Sequence, residues 1–222
     1  MLRFEVGQAY LWCDPDSLTL IDTGPAGSAA AIADAIRDLG FTTGDVHRVV
    51  LTHFHDDHVG SAAEIGTWGE VGIVAHAQDA PIIRGDRPGP AINFVDDAER
   101  TLHERVARGL APAPPARVDQ ELHDGDVLEF GGGAQVVGTP GHTDGSIGVY
   151  LPAAEVLFTG DTVASIGGQA ILGPFNLDRV RAITSFRRLV ELDASVACFG
   201  HGDPVVGDAS TTLRTAAVRL VA

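Results

Sequence analysis

The pattern of hydrophobic and polar positions along the chain predicts a mixed α/β protein. Short apolar runs end at polar or glycine-containing turns, as at Leu18–Ile21, which is typical of buried strands. Apolar residues at helical spacing predict a helix over Ala29–Leu39, and Gly40 is its expected stop. Further strands are expected at Arg3–Val6, Tyr10–Trp12, Arg48–Leu51, Gly72–Ala75, Val127–Phe130, Gln135–Gly138, Ile147–Leu151, Val156–Phe158 and Val196–Phe199.

The order of these elements predicts the architecture. Further helices are expected at Val59–Ile65, Asp96–Arg108, Leu177–Leu192 and Ser210–Leu220. Each half of the chain therefore supplies several strands and then helices. Two sheets packed face to face with helices outside bury the apolar faces most economically. We predict an α/β fold, a four-layer αββα sandwich with two mixed sheets, formed by a single domain over residues 1–222.

The stretch from about residue 85 to 118 differs from its surroundings. It begins with the proline- and glycine-rich RGDRPGP, continues into a charged helix and ends in APAPPA. This composition favours an insertion or lid between the two halves of the domain. His103 on this helix is either solvated or a substrate contact, and Phe94 and Phe175 are candidate pocket walls.

The composition excludes several functions. The chain has 30 acidic and 15 basic residues, a formal net charge of −15, and no lysine. Schiff-base enzymes, P-loop proteins and Ser-Lys hydrolases all need a lysine. Nucleic-acid binding draws most of its affinity from basic residues, so this charge argues against such a partner and favours a small-molecule substrate.

Cysteine content and hydropathy bear on location. Two cysteines are too few for a disulfide framework and fit a reducing compartment. The sequence shows neither a signal-peptide pattern nor a run of 18 apolar residues. We expect a cytoplasmic protein without a membrane partner; the oligomeric state is left open.

The candidate chemistry begins directly after the strand Arg48–Leu51, in the segment THFHDDH. While the backbone is extended, the side chains of His53 and His55 point the same way. Asp57 and His58 then lie at the entry to a helix. This HxHxDH spacing can direct two imidazoles to one point and a carboxylate with an imidazole to a neighbouring point, as suits zinc or iron(II).

Three later segments each place one potential ligand beside glycine at the end of a strand. They are TPGHT with His142, FTGDT with Asp161 and FGHG with His201. Glycine lets the backbone approach a crowded site. Asp22, in the early turn Asp22-Thr23-Gly24, is either a turn residue or a support for the metal ligands.

These elements, in this order, resemble the metallo-β-lactamase superfamily, and most closely its glyoxalase II-like hydrolase branch. The resemblance covers the chain from about Phe4 to Gly202 and implies the same αββα fold. It implies two divalent metal ions, with Zn²⁺ preferred and iron or manganese as alternatives. By the family pattern, the first ion is bound by His53, His55 and His142, the second by Asp57, His58 and His201, and both by Asp161.

The resemblance also implies a reaction. Two cations about 3.5–4 Å apart lower the pKa of a shared water, which attacks a polarised carbonyl as hydroxide. Asp57 would orient this nucleophile and move a proton to the leaving group. Asp144, in GHTDGS, stands where the family often has proline; it either caps a turn or hydrogen-bonds behind the ligands.

We therefore expect a hydrolase of a small ester, thioester or lactone. Glyoxalase II itself carries basic and tyrosine residues for glutathione in a helical C-terminal region, which this sequence does not match, so a glutathione thioester is not the favoured substrate. A mononuclear iron persulfide dioxygenase with most of the same ligands is one alternative. A lactamase-like hydrolase is another, although Asp161 argues against it, because lactamase branches usually have a different residue there.

Overall fold

The computed structural model describes residues 1–220. The chain divides into two compact units. The N-terminal unit comprises Met1–Gly89 and Val106–Leu122, and the C-terminal unit comprises Pro90–Arg105 and the chain from His123 onward. Each unit contains a six-stranded mixed sheet.

The sheet of the N-terminal unit has its strands in chain order. The first three strands pair antiparallel, and the third to the sixth run parallel, since helices or longer connections return the chain to the same end of the sheet. The strands are β1 (Leu2–Arg3), β2 (Gln8–Asp14), β3 (Ser17–Ile21), β4 (Val46–Leu51), β5 (Gly72–His76) and β6 (Gln120–Leu122).

Helix α1 (Ala29–Asp38) covers this sheet with Ile32 and Ile36, which are fully buried among the apolar residues of β3 and β4. A 3₁₀ turn at Thr43–Asp45 leads into β4. Three short helices follow the parallel strands: α2 (Asp56–Val59), α3 (Ala62–Ile65) and α4 (Ala80–Ile83).

The sheet of the C-terminal unit has the order β14-β13-β10-β9-β8-β7. Only β10 and β13 pair in parallel; the other pairs are antiparallel. The strands are β7 (Val127–Leu128), β8 (Ala134–Gly138), β9 (Ile147–Leu151), β10 (Val156–Phe158), β13 (Val196–Cys198) and β14 (Val205–Val206). A separate hairpin of β11 (Val163–Ile166) and β12 (Gln169–Leu172) follows a 3₁₀ turn at Gly160–Thr162.

Two helices supply the core of the C-terminal unit. Asp178 caps α6 (Arg179–Leu189) by accepting from the Arg181 N–H, and Phe186 at its centre is fully buried. Helix α7 (Ala209–Val218) adds Leu213 and alanines to the same core. Helix α5 (Asp97–Ala107) has no buried residue, and the chain passes from the C-terminal to the N-terminal unit between Arg105 and Val106.

The two large mixed sheets with helices confirm the predicted α/β class. The predicted helix over Val59–Ile65 is instead two short helices, because Gly60 packs against the backbone at Pro25 and Ser61 hydrogen-bonds to the Pro25 carbonyl. The short elements α4, β6, β11, β12 and β14 carry too few apolar positions to show a period and are not predicted from the sequence.

No helix within residues 1–220 combines the length and apolar character needed to cross a membrane. The single domain and the lid over 85–118 remain predictions.

Candidate metal centre

The HxHxDH segment lies where β4 ends. Buried Leu51 closes the strand, His55 keeps extended backbone angles, and α2 begins at Asp56. The two histidines of the extended part and the aspartate and histidine of the first helical turn therefore come from one short stretch, as the spacing predicts. His53, Asp57 and His58 are buried, and His55 is half-buried.

A single buried carboxylate organises this segment from behind. One oxygen of Asp22 accepts from the Thr52 N–H at 2.7 Å, and the other contacts the Thr52 hydroxyl and His58 Nδ1, each at 2.8 Å. Asp22 has a φ of +57°, a left-handed conformation that costs a non-glycine residue about 1–3 kcal/mol. The next residue, Thr23, donates to the His58 carbonyl from both its N–H and its hydroxyl. The turn at Asp22 thus holds both ends of the histidine segment.

These hydrogen bonds fix where the protons of two histidines lie. An ionised carboxylate only accepts, so His58 donates its Nδ1 proton to Asp22. The Thr52 hydroxyl gives its one hydrogen to Asp22 and therefore accepts from His53 Nδ1, 3.0 Å away. In both neutral rings Nε2 is then the nitrogen without a proton, and it can bind a metal ion.

The ligand atoms of the N-terminal unit lie close together. His53 Nε2 is 3.1 Å from His55 Nδ1, and His58 Nε2 is 3.6 Å from a carboxylate oxygen of Asp57. The rings of His53 and His58 have centroids 4.1 Å apart. This grouping of imidazole nitrogens and a carboxylate oxygen matches the donor set of zinc, iron(II) or manganese sites.

Two further aspartates support the segment and were missed from the sequence. Asp79, buried at the start of α4, accepts from the N–H of Phe54, between the two histidines, at 3.1 Å. Asp56 accepts from the Ala113 N–H at 2.8 Å and so ties the proline-rich stretch to α2. Asp56 occupies a variable position of HxHxDH, and Asp79 stands in no motif. An aspartate shortly after the apolar run of β5 is the only signal that could have identified Asp79.

In the C-terminal unit, three predicted ligands lie together: the carboxylate of Asp161 lies close to His142 and His201. An oxygen of Asp161 lies 3.1 Å from His201 Nε2 and 3.7 Å from His142 Nε2. Asp161 and His142 are buried, whereas the His201 side chain is 33% exposed. One carboxylate oxygen between two imidazole nitrogens is an arrangement suited to a cation.

Glycines bring these three segments together by close backbone packing. A Cβ atom added at Gly141 would overlap the α6 backbone at Ala182, and one at Gly173 would overlap the Asp161 carbonyl. Gly202 packs in the same way on the Ser165 carbonyl. The expectation that glycine at the strand ends permits close approach therefore holds for the segments of His142 and His201.

Two residues near the motifs lie apart from the ligands. Asp144 is exposed and forms an ion pair with Arg181 at 2.8 Å. Cys198, three residues before His201, is in β13, where burial raises the pKa of its thiol to about 12. This thiol is protonated at neutral pH, which favours a core role over metal binding.

The chemistry of these donors fits a divalent metal ion. Every one of the seven predicted ligands belongs to a group of histidine and aspartate side chains that could hold an ion. Neutral imidazole nitrogens and carboxylate oxygens of this kind serve zinc, iron and manganese alike, so the donors do not distinguish among these metals.

Comparison with known proteins assigns the family. The sequence-family model of the metallo-beta-lactamase superfamily matches residues 2–201, which is most of the chain. The protein therefore belongs to the metallo-β-lactamase superfamily.

Curated relatives point in the same direction. The chain is 29% identical over 228 residues to the probable metallo-hydrolase YflN of Bacillus subtilis, covering 93% of this chain and 84% of that protein. It is 31% identical over 192 residues to a hydroxyacylglutathione hydrolase of Brucella anthropi, covering 85% of this chain but 58% of that protein. These matches and the family assignment support a metal-dependent hydrolase in the glyoxalase II-like branch.

Solved structures show the same fold. A metallo-beta-lactamase family protein from Thermus thermophilus has a TM-score of 0.68 at 24% identity, covering 96% of this chain and 72% of that chain. The metallo-beta-lactamase SMB-1 has a TM-score of 0.72 at 20% identity, covering 96% and 89%. At these identities the likeness establishes the metallo-β-lactamase fold.

Proposed function

We propose that this protein is a binuclear metal-dependent hydrolase of a small ester, thioester or lactone. In this proposal the two ligand sets described above serve one centre, as the family match across both units suggests. His53, His55 and His142 would hold the first ion, Asp57, His58 and His201 the second, and Asp161 both.

The placement of protons around Asp22 is the observation that carries the proposal. Nδ1 of His53 and of His58 are both committed to the Asp22–Thr52 network, so Nε2 of each ring is the unprotonated nitrogen. A buried carboxylate that orients ligand histidines in this way also raises their basicity toward a metal. A purely structural histidine cluster would not need both rings in the same tautomer.

The location of Asp161 supports its proposed role as the ligand that bridges the two ions. Its oxygen lies within 3.7 Å of the Nε2 atoms of His142 and His201, which the family pattern assigns to different ions. A carboxylate can bridge two cations because its oxygens offer about four lone-pair sites.

Two divalent cations bound here would polarise a carbonyl and lower the pKa of a water molecule toward neutrality. The chain itself would direct the proton. The Asp57 carboxylate has 12% of its side chain exposed and lies 3.6 Å from His58 Nε2. In this proposal it would accept the proton of the attacking water and pass it to the leaving oxygen, sulfur or nitrogen.

Among these metals we prefer Zn²⁺, because the proposed hydrolysis requires no redox change. The substrate is a small molecule. The net charge of −15 argues against a nucleic acid, because binding one depends on neutralising phosphates. Both cysteines are free, as is usual in the reducing cytoplasm, where we place the protein.

The proposed substrate class is broader than that of the glyoxalase II relatives. The chain spans 58% of the length of the Brucella anthropi hydroxyacylglutathione hydrolase. A glutathione thioester is thus one thioester to include in a substrate panel, together with simple esters and lactones.

Metal analysis of Asp57→Ala tests the proposal. The wild-type chain loaded with zinc should bind two ions, and the variant about one, with kcat reduced at least about 100-fold, because it loses both a ligand and the proton carrier. Asp144→Ala, whose exposed carboxylate pairs with Arg181, is the matched control and should retain two ions and normal turnover.

Two results would overturn the binuclear hydrolase. One is near-normal turnover by Asp57→Ala. The other is a wild-type protein that contains one iron per chain and consumes oxygen with a persulfide, which would establish the dioxygenase alternative.

A further inference from the structure

Three half-buried rings form a small cluster in the C-terminal unit, referred to below as the aromatic cluster: Phe94, His103 and Phe175. The His103 ring lies between the other two, with centroid distances of 5.3 Å to Phe94 and 5.1 Å to Phe175. The contact with Phe175 is edge-to-face, at an interplanar angle of 80°. Such geometry gives ring contacts their preferred electrostatics and makes the cluster a defined surface.

Hydrogen bonds hold the two backbone segments of the cluster together. The Glu99 carboxylate accepts from the N–H of Val95 with one oxygen and from the N–H of Phe175 with the other. Asn93 donates from its side chain to the Leu177 carbonyl at 2.7 Å. Phe175 has a φ of +62°, a strained conformation for a bulky residue, and such strain is concentrated at functional sites.

The loop that carries Phe175 adjoins two proposed metal ligands. Gly173 packs directly on the Asp161 carbonyl, and its N–H donates to the Thr162 carbonyl. Four residues later, the Leu177 N–H donates to the carbonyl of His142. Phe175 therefore lies midway along a loop whose two ends are fixed to the Asp161 and His142 segments.

The aromatic cluster does not serve the core. Neither apolar core among the described residues includes Phe94 or Phe175. Within residues 1–220 the ring nitrogens of His103 form no hydrogen bond, although the ring is half-buried. Partly exposed aromatic surface with an available polar atom is typical of a ligand pocket.

We propose that the aromatic cluster binds an aryl group in the acyl part of the substrate, so that the preferred substrates are arylacyl esters or thioesters. This proposal rests on the proposed function, because it places the group beside the same centre. A flat ring can stack on or meet edgewise the three existing rings, and it carries no charge. Arg100, the nearby cation, already lies over Phe94 and pairs with Asp97, so it does not favour an anionic group here.

Matched acyl groups on one leaving group provide the test. The phenylacetyl and acetyl thioesters of N-acetylcysteamine differ in the aryl group but share their leaving thiol. We expect the zinc-loaded wild-type protein to prefer the phenylacetyl compound in kcat/KM by at least about tenfold, a ratio equal to about 1.4 kcal/mol. Phe94→Ala should remove most of this preference, chiefly through KM, and leave the acetyl thioester within about twofold.

Leu102→Ala is the control, since Leu102 is an apolar residue exposed on the same helix next to His103. Its kinetics should match the wild type for both thioesters. Phe175→Leu, which keeps an apolar side chain on the strained loop, should repeat the loss seen with Phe94→Ala. His103→Phe keeps an aromatic ring at this position and should therefore keep the preference for the phenylacetyl thioester.

Binding of the products gives a readout that does not depend on turnover. Phenylacetate should bind the metal-loaded protein at least about tenfold more tightly than acetate by calorimetry, and Phe94→Ala should abolish that difference. Equal binding of the two carboxylates by the wild type, or equal losses for both thioesters in Phe94→Ala, overturns the aryl assignment. Failure to hydrolyse any ester, thioester or lactone would instead overturn the proposed function, and the binding difference would still decide the aryl site.

Discussion

The two sets of proposed metal ligands are positioned by different means. In the N-terminal unit, four ligands lie within residues 53–58, and a side-chain network centred on Asp22 orients two of them, His53 and His58. In the C-terminal unit, the three ligands His142, Asp161 and His201 come from separate loops, and closely packed backbone at glycines brings those loops together. Hydrogen bonds therefore position the first set, and close steric packing of the backbone positions the second.

This contrast predicts different consequences of mutation. Loss of a supporting polar group in the N-terminal unit should change the protonation and orientation of histidines while leaving the backbone in place. An added methyl group at a glycine of the C-terminal unit should displace a whole loop, because packed backbone cannot yield as a side chain can. The first defect should appear in metal affinity, and the second in stability.

The largest effect is expected for Gly173→Ala. An added Cβ would overlap the carbonyl of Asp161, and the φ angle of Gly173 is not in the left-handed region, so the conflict is purely steric. We expect a loss of about 3 kcal/mol in the free energy of unfolding, at the upper end for overpacking. Urea denaturation of the metal-free protein measures it without any contribution from a bound ion.

Gly109→Ala is the control for this substitution. A Cβ at Gly109 meets no atom within 4 Å and its backbone angle is ordinary. This variant should unfold at the wild-type urea concentration. If Gly173→Ala does so too, the loop at Asp161 has room to move, and the role assigned to close packing is wrong.

A smaller effect is expected for Asp22→Asn. The amide can still accept from Thr52, but it turns an N–H₂ group or a weaker acceptor toward His58 Nδ1. We expect zinc affinity to fall about 10- to 100-fold, the usual cost of removing a group that orients a ligand histidine. Competition with a chromophoric chelator measures this affinity.

Asp144→Asn distinguishes Asp144 from Asp22, the two aspartates that the sequence indicates as possible supports for the metal ligands. The Asp144 carboxylate pairs with exposed Arg181, away from the ligand histidines. Zinc affinity should stay within about twofold of the wild type, since exposed ion pairs contribute little. An equal loss in both variants would mean that general electrostatics, and not the orientation of His58, determines affinity.

The same contrast explains which features could be predicted from the sequence. The HxHxDH motif can be recognised because its ligands are close together in the chain and the strand before it, ending at Leu51, is strongly apolar. The strands β9 and β10 have the bounds that the sequence predicts, because each is a short apolar run between turn residues. Local pattern was sufficient for these features.

Features that depend on tertiary packing could not be read in this way. Asp79 supports Phe54 from 25 positions away, and the two-stranded hairpin β11–β12 contains too little periodic pattern to separate it from a loop. The break between α2 and α3 follows from the fit of Gly60 against Pro25, which no helical propensity encodes. Family resemblance supplied the link between His142, Asp161 and His201, since spacing alone does not show which loops meet.

The finest test of the side-chain network is the hydroxyl of Thr52. Thr52→Val keeps the shape of the side chain but removes the group that donates to Asp22 and accepts from His53 Nδ1. We expect zinc affinity to fall about two- to tenfold, the value of one hydrogen bond. Thr52→Ser restores the hydroxyl without the methyl group and should recover most of the affinity.

Because His53 donates to this oxygen only when Nδ1 carries the proton, NMR of the His53 ring nitrogens should show one tautomer in the wild type and in Thr52→Ser. In Thr52→Val it should show a mixture; a single unchanged tautomer there would mean that the hydroxyl does not set the proton, and that the N-terminal ligands, like the C-terminal ones, are positioned mainly by packing.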